Sequence, residues 1–121
     1  MTKKILIVDD NPGIQELLGI IFRKAGYTVC IESKGEVIIN GDFELPDIIL
    51  LDRQLSGMDG LIVCGHLKRS TKTKDIPVIM VSASPDIKSL SASAGANDYI
   101  EKPFNIKDIL KMVESHLLST A

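Results

Sequence analysis

The sequence has no tryptophan, only two cysteines, and no apolar run beyond about four residues. The missing long run excludes a membrane-spanning helix, which needs about 20 apolar residues. Lys3-Lys4 lead into a short β-prone run rather than the apolar core of a signal peptide, so a cytoplasmic location is expected. Cys30 and Cys64 have no second ligand-type residue at metal spacing, and both read as reduced residues in or near the core. There is no excess of positive charge: 14 Lys and Arg against 16 Asp and Glu give a net charge of -2, which argues against nucleic acid as a direct partner. No glycine-rich phosphate loop follows the first apolar run, which disfavours a nucleotide or flavin binder. His66 and His116 lie in helical stretches with no acid four residues away and are expected at the surface or at interfaces, outside any site.

What is present is a repeated pattern of short apolar runs that end in polar groups. Ile48-Ile49-Leu50-Leu51 runs without a break into Asp52, and Ile5-Leu6-Ile7-Val8 runs into Asp9-Asp10. Val78-Ile79-Met80-Val81 ends in Ser82, and a short fourth run ends near Glu101-Lys102. Unbroken β-prone runs indicate strands covered on both faces, as in a parallel sheet between helices. An acid at the end of such a strand sits at the carboxyl edge, where open α/β sheets bind ligands. Taken alone, Asp52 could equally cap the strand or the turn that follows. The repetition favours convergence: on adjacent parallel strands, three carboxylates, a hydroxyl and an ammonium meet at one sheet edge.

At 121 residues the chain is one domain, with 45% hydrophobic and 25% charged residues, long enough to bury about two-thirds of its unfolded surface. Asp10-Asn11-Pro12 opens a first helix with Ile14, Leu17, Leu18, Ile21, Phe22 and Ala25 on its apolar face, ended by Gly26. Tyr27-Thr28-Val29-Cys30-Ile31 reads as strand 2, residues 33–40 as a short helix, and the Asp52 run as strand 3. Leu55-Ser56-Gly57-Met58-Asp59-Gly60 suits a loop curling over the strand edge, and residues 61–70 a helix burying Leu61, Cys64 and Leu67. Strand 4 follows Pro77, a short serine-rich helix runs from Pro85-Asp86 to Gly95, and Asp98-Tyr99-Ile100-Glu101 is strand 5. Asn105 starts the last helix, with Ile109, Leu110, Met112, Val113 and Leu117 inward. The alternation predicts a doubly wound (βα)5 α/β domain with a parallel sheet of order 2-1-3-4-5. That order makes strands 1 and 3 neighbours, which brings Asp9, Asp10 and Asp52 to the switch-point crevice.

Three clustered carboxylates repel one another unless a cation is present, and hard oxygen donors suit Mg²⁺, or Mn²⁺ in its place. Beside such a metal, Asp52 could attack a phosphoryl group, with Lys102 as a second positive charge and Ser82 as a hydroxyl donor to a phosphoryl oxygen.

With these pieces in place the chain resembles the receiver domain of two-component response regulators, with a flavodoxin-like fold, over essentially residues 1–121. The resemblance rests on Asp9-Asp10, Asp52, Leu55-Ser56-Gly57-Met58-Asp59-Gly60, Ser82, Gly95-Ala96, Asp98-Tyr99 and Lys102-Pro103-Phe104. It implies a phosphoacceptor signalling domain, not an enzyme in its own right, in which a histidine kinase or phosphotransfer protein phosphorylates Asp52. It further implies metal held by Asp10, Asp52 and the Gln54 backbone carbonyl, with Asp9 acting largely through water. Ser82 and Tyr99 become a switch pair, Lys102 the phosphate-binding lysine, and Lys102-Pro103 a cis peptide. Each position has a plainer reading: Tyr99 as core, Lys102 as a surface lysine, Pro103 as trans.

Two departures stand out. Ser56 replaces a common proline, and the interval from Ser82 to Gly95 is shorter than usual. By resemblance, Gln54 and Ser84 occupy positions that tune hydrolysis. The short helix between Pro85 and Gly95 is expected to be mobile and to leave little surface for pairing, hence a monomer or a weak dimer on activation. No output domain is expected within these residues, which suit either a free-standing regulator or one domain of a larger chain. The alternatives are an aspartyl-phosphate phosphatase of haloacid-dehalogenase type and a degenerate receiver with a structural role. The first lacks its second acid, since Arg53 and Gln54 follow Asp52. The second sits poorly with every acid being present.

Overall fold

The computed structural model describes residues 2–118; residue 1 and residues 119–121, the ends of the expected 1–121 domain, lie outside the described residues. The order is β1 (Lys4–Val8), α1 (Pro12–Lys24), β2 (Thr28–Glu32), α2 (Gly35–Ile39), β3 (Ile48–Asp52), β4 (Gln54–Leu55), β5 (Met58–Asp59) and α3 (Gly60–Arg69). Then come β6 (Val78–Ser82), α4 (Ile87–Ser93), β7 (Asp98–Glu101) and α5 (Ile106–Leu118). Five strands form one parallel sheet in the order β2-β1-β3-β6-β7. With the short β4-β5 hairpin set apart, this is the expected 2-1-3-4-5 order. The hairpin occupies the stretch expected as a loop; it turns through Ser56 and Gly57, whose φ of 76° is a conformation that glycine adopts without penalty.

Strand periodicity divides the core into two layers. Ile5, Ile7, Ile48, Leu50, Ile79, Val81 and Ile100 face Leu18 and Phe22 of α1 and Ile109, Val113 and Leu117 of α5. The alternate residues Leu6, Val8, Ile49, Leu51, Val78 and Met80 face Ile38 of α2, Val63, Cys64 and Leu67 of α3 and Ile87 of α4. Both faces of the sheet are therefore covered, which is why its central strands carry no polar alternation. Asp52 follows Leu50 by two residues, so its side chain leaves β3 on the α1/α5 side.

Local chemistry sets the helix ends. Asn11 Oδ1 accepts from Ile14 N–H at 3.0 Å with Pro12 in the first turn, and Asp59 Oδ1 accepts from Leu61 N–H at 2.9 Å. Burial departs from expectation in places. Leu17 is 41% exposed, because it lies about 100° around the helix from Leu18 and so off the inward stripe. Ala25 caps α1 and is exposed. Leu61 is only partly buried, and Val63 takes the inward position. Cys30 and Cys64 are free thiols; burial pushes Cys64 up to about 11, and its Sγ lies 3.7 Å from the Ala94 carbonyl oxygen, to which it donates.

Helix α4 is short, as its serines suggest, and carries a polar burden. Ser91 is 2% exposed, and its Oγ is the one buried side-chain N or O atom among the described residues without a hydrogen-bond partner. An unpaired buried hydroxyl costs about 1–3 kcal/mol. Ser91→Ala is therefore expected to stabilise the fold by about 1 kcal/mol, raising the midpoint of thermal unfolding by roughly 3–6 °C. A lowered midpoint would show that the hydroxyl contributes favourably.

Candidate functional site

The carboxyl ends of β1, β3, β6 and β7 carry the polar groups. β1 lies against β3, with Val8 opposite Leu51, so the residues that follow, Asp9 and Asp10, arrive beside Asp52. One carboxylate oxygen from each of Asp9, Asp10 and Asp52 lies within 4.8 Å of the others. Asp9 and Asp52 are 3% and 5% exposed, and Asp10 is half-buried.

Each acid is held by a local contact. Asp9 Oδ1 accepts from Asn11 N–H at 2.9 Å, and its carbonyl accepts from Gln15 Nε2, which also donates to Ser33 Oγ. Asp10 Oδ2 accepts from both the N–H and the hydroxyl of Ser56, at 2.9 and 2.5 Å. Ser56, where proline is common in the resembling family, thus supplies two donors to an acid of the cluster. Asp52 Oδ1 accepts a long hydrogen bond from Gln54 N–H at 3.4 Å.

Lys102 Nζ lies 3.4 Å from Asp52 Oδ2 and 3.9 Å from Asp9 Oδ2, the nearest cation to the cluster among the ion pairs of the described residues. Its backbone N–H donates to the Ser82 carbonyl at 2.9 Å, and the Lys102-Pro103 peptide is cis. Burial raises the Asp9 carboxyl above its ordinary value; the Asn11 N–H and Lys102 oppose this, and the charges of Asp52 and Asp10 add to it. A site with this charge excess, built from hard oxygen donors, fits a divalent cation such as Mg²⁺.

Ser82 ends β6 next to Asp52, whose strand partner is Val81. It is buried, and its Oγ accepts from Ser84 N–H at 3.0 Å. Tyr99 is not in the cluster: it is half-buried, pairs with Met80 two residues before Ser82, and packs in the α2-α3-α4 layer. Gln54 is exposed, and its backbone reaches Asp52 through its N–H.

Three further contacts were not read from the sequence. Arg53 donates from Nη1 to Ser84 Oγ at 2.9 Å, Gly60 packs directly on the Asp52 carbonyl, and His116 Nε2 lies 2.8 Å from Asp98 Oδ2. Sequence offered no signal for the first and third, whose partners are 31 and 18 residues away. The Asp59-Gly60 pair at a helix start was the available signal for the second.

Residues 5–114 match the family model of the response regulator receiver domain. The DNA-binding dual master transcriptional regulator RpaA of Synechocystis sp. is 39% identical over 97% of this chain and 50% of its own length. The chain spans about half the length of the curated relatives it matches. The receiver domain of a signal transduction histidine kinase from Syntrophus aciditrophicus superposes with a TM-score of 0.89 at 30% identity, covering 98% of this chain and 92% of that one. The receiver domain of the sensor histidine kinase PA1611 from Pseudomonas aeruginosa PAO1, with a magnesium ion coordinated in its active-site cleft, gives 0.87 at 25% identity over 97% and 98%. A parallel sheet in this order and an acid cluster at its carboxyl edge agree with what the family match spans: the chain belongs to the response regulator receiver domain family, whose role is phosphoacceptor signalling.

Proposed function

We propose that Asp52 is the phosphoacceptor, that Asp9, Asp10, Asp52 and the Gln54 carbonyl hold Mg²⁺ or Mn²⁺ directly or through water, and that Ser82 and Tyr99 pass the change on to a binding face. The observation that carries the reading is the Asp52 carboxylate itself. It is buried, in a group of three acids, with a lysine ammonium 3.4 Å away. The bound metal would orient the donor's phosphoryl oxygens and offset their charge. Asp52 Oδ then bonds to phosphorus while the bond from phosphorus to the donor nitrogen or oxygen breaks, and that atom leaves with the electron pair. Lys102 neutralises charge on the transferred group, and the Ser82 hydroxyl donates to one of its oxygens. The chain is altered by the reaction rather than turning over a separate substrate, consistent with signalling rather than catalysis.

The proposed donor is a histidine kinase or phosphotransfer protein. A groove of about 400 Å³ lined by Ile14, Leu17, Ala83, Lys102, Pro103 and Phe104 lies beside the lysine of the site. Its apolar lining suits a protein surface carrying the phosphohistidine better than a small polar donor. Leu17→Glu is expected to slow transfer from a phosphorylated histidine donor at least about fivefold, leaving labelling by acetyl phosphate unaltered. Equal slowing with both donors would remove the groove from the docking surface. The net charge of -2 supports protein rather than nucleic acid as the contact of this domain. No helix among the described residues is long and apolar enough to cross a membrane, and a cytoplasmic domain remains our reading.

The direct test is intact mass after incubation with acetyl phosphate and Mg²⁺. A gain of one phosphoryl group that chelation prevents is the expected result. Labelling that persists without a divalent cation would sink the metal assignment, and no labelling at all would sink the acceptor assignment.

A further inference from the structure

Arg53 follows Asp52 directly, yet its side chain does not run out to solvent. Its Nη1 donates to Ser84 Oγ at 2.9 Å and lies 3.6 Å from Asp86 Oδ1, while Nε lies 3.8 Å from Asp59 Oδ1. Its backbone is fixed on both sides: the N–H donates to the Val81 carbonyl at 3.0 Å, and the carbonyl accepts from Gly60 N–H at 2.6 Å. The guanidinium is thus an arm projecting from a rigid strand end. Of its three polar contacts, the one with hydrogen-bond length and a neutral partner is the one to Ser84.

Ser84 stands between Arg53 and Ser82. Its N–H donates to Ser82 Oγ at 3.0 Å, and its own hydroxyl donates to Asp86 Oδ1 at 2.7 Å. Since the Ser84 N–H occupies a lone pair of the Ser82 oxygen, the Ser82 proton is directed toward an acceptor elsewhere. Where that oxygen sits, and so where its proton can reach, depends on where Ser84 is held. We propose that Arg53 is a positioning residue for the phosphoryl reaction, fixing the Ser82 hydroxyl through Ser84. The proposal rests on the reading of Asp52 as acceptor and of Ser82 as a donor to the phosphoryl group. An arginine is needed because its planar fork reaches Ser84 and Asp86 with one nitrogen and Asp59 with another; a lysine offers a single point.

Two measurements on Arg53→Gln test this, with circular dichroism confirming an intact fold. The first uses neither metal nor phosphoryl donor: amide exchange at Ser84, followed by NMR, is expected to quicken about tenfold or more as the loop loses its tether. The second is the initial rate of labelling by acetyl phosphate with Mg²⁺. It is expected to fall about three- to tenfold in Arg53→Gln, and to show no further fall when Arg53→Gln is added to Ser82→Ala, because residues acting through one another are not additive. Arg53→Lys should recover only part of the loss. Unaltered Ser84 exchange, or an equal effect of Arg53→Gln with and without the Ser82 hydroxyl, overturns the role of Arg53 while leaving Asp52 as acceptor. A wild-type chain that takes up no phosphoryl group overturns the acceptor reading and this proposal together.

Discussion

Asp52→Asn is expected to reduce labelling by acetyl phosphate and Mg²⁺ at least about a hundredfold, because it replaces the proposed nucleophile while leaving shape and burial almost unaltered. An amide oxygen is neutral and a far weaker nucleophile than a carboxylate. The neighbouring acids are poorly placed to take over. Asp9 is the most enclosed of the three, with one oxygen already accepting from Asn11 N–H and the other 3.9 Å from Lys102 Nζ. Asp10 is turned to Ser56, which donates to it twice. Asp52 alone combines a strand-end position with the closer approach of Lys102, at 3.4 Å. Intact mass decides the total, and peptide mapping after borohydride trapping decides the position. Undiminished labelling in Asp52→Asn, or trapped label on Asp9 or Asp10 in the wild type, would refute the assignment.

The sheet was legible because its signal is local and strong. Four-residue apolar runs without alternation can be buried only between two layers, and each run names its own polar end. Neighbouring β1 and β3 then bring Asp9, Asp10 and Asp52 together without any long-range information beyond strand order. The helix faces were less legible. Leu17 is apolar and at helical spacing, yet exposed, since the packed stripe of α1 is narrower than its apolar one. His116 showed no acid one turn away because its partner, Asp98, sits on β7 and reaches it only across the α5-sheet packing. Arg53 was read as the absence of a second acid. Its positive content is a contact with a loop that starts after β6, which no window around residue 53 contains.

That same stretch separates the receiver reading from the phosphatase alternative. A haloacid-dehalogenase-type enzyme needs a carboxylate two residues past its nucleophile for acid–base work. Here that residue is Gln54, exposed and touching Asp52 through its backbone N–H. Without an acid at that position, the charged groups beside Asp52 are a lysine and two acids, an arrangement that suits the proposed role of accepting a phosphoryl group.

Gly60→Ala is expected to destabilise the fold by at least about 3 kcal/mol, lowering the thermal midpoint by roughly 10 °C or more. In the sequence, Gly57 and Gly60 look alike, two glycines in one loop. The structure gives them opposite reasons. Gly57 has a positive φ of 76° with no atom within 4 Å of an added Cβ, so its need is conformational. At Gly60 the need is space: an added Cβ would lie 2.1 Å from the Asp52 carbonyl oxygen and 2.8 Å from the Arg53 Cα. These are backbone atoms and cannot rotate away like the tip of a side chain. Nor can the strand end retreat, since Arg53 N–H is bonded to the Val81 carbonyl and the Arg53 carbonyl to Gly60 N–H. The first turn of α3 must therefore lift, and Asp59, which caps it, must lift with it. Because the clash is with Asp52, the proposed acceptor, the damage should extend to chemistry. At a temperature where Gly60→Ala remains folded, labelling with acetyl phosphate should fall by about tenfold or more. Gly57→Ala, by contrast, should cost only about 1 kcal/mol and leave the labelling rate nearly unaltered. A Gly60→Ala protein that melts within about 2 °C of wild type would show that α3 can move off the strand end at little cost, and that close packing there does not position Asp52.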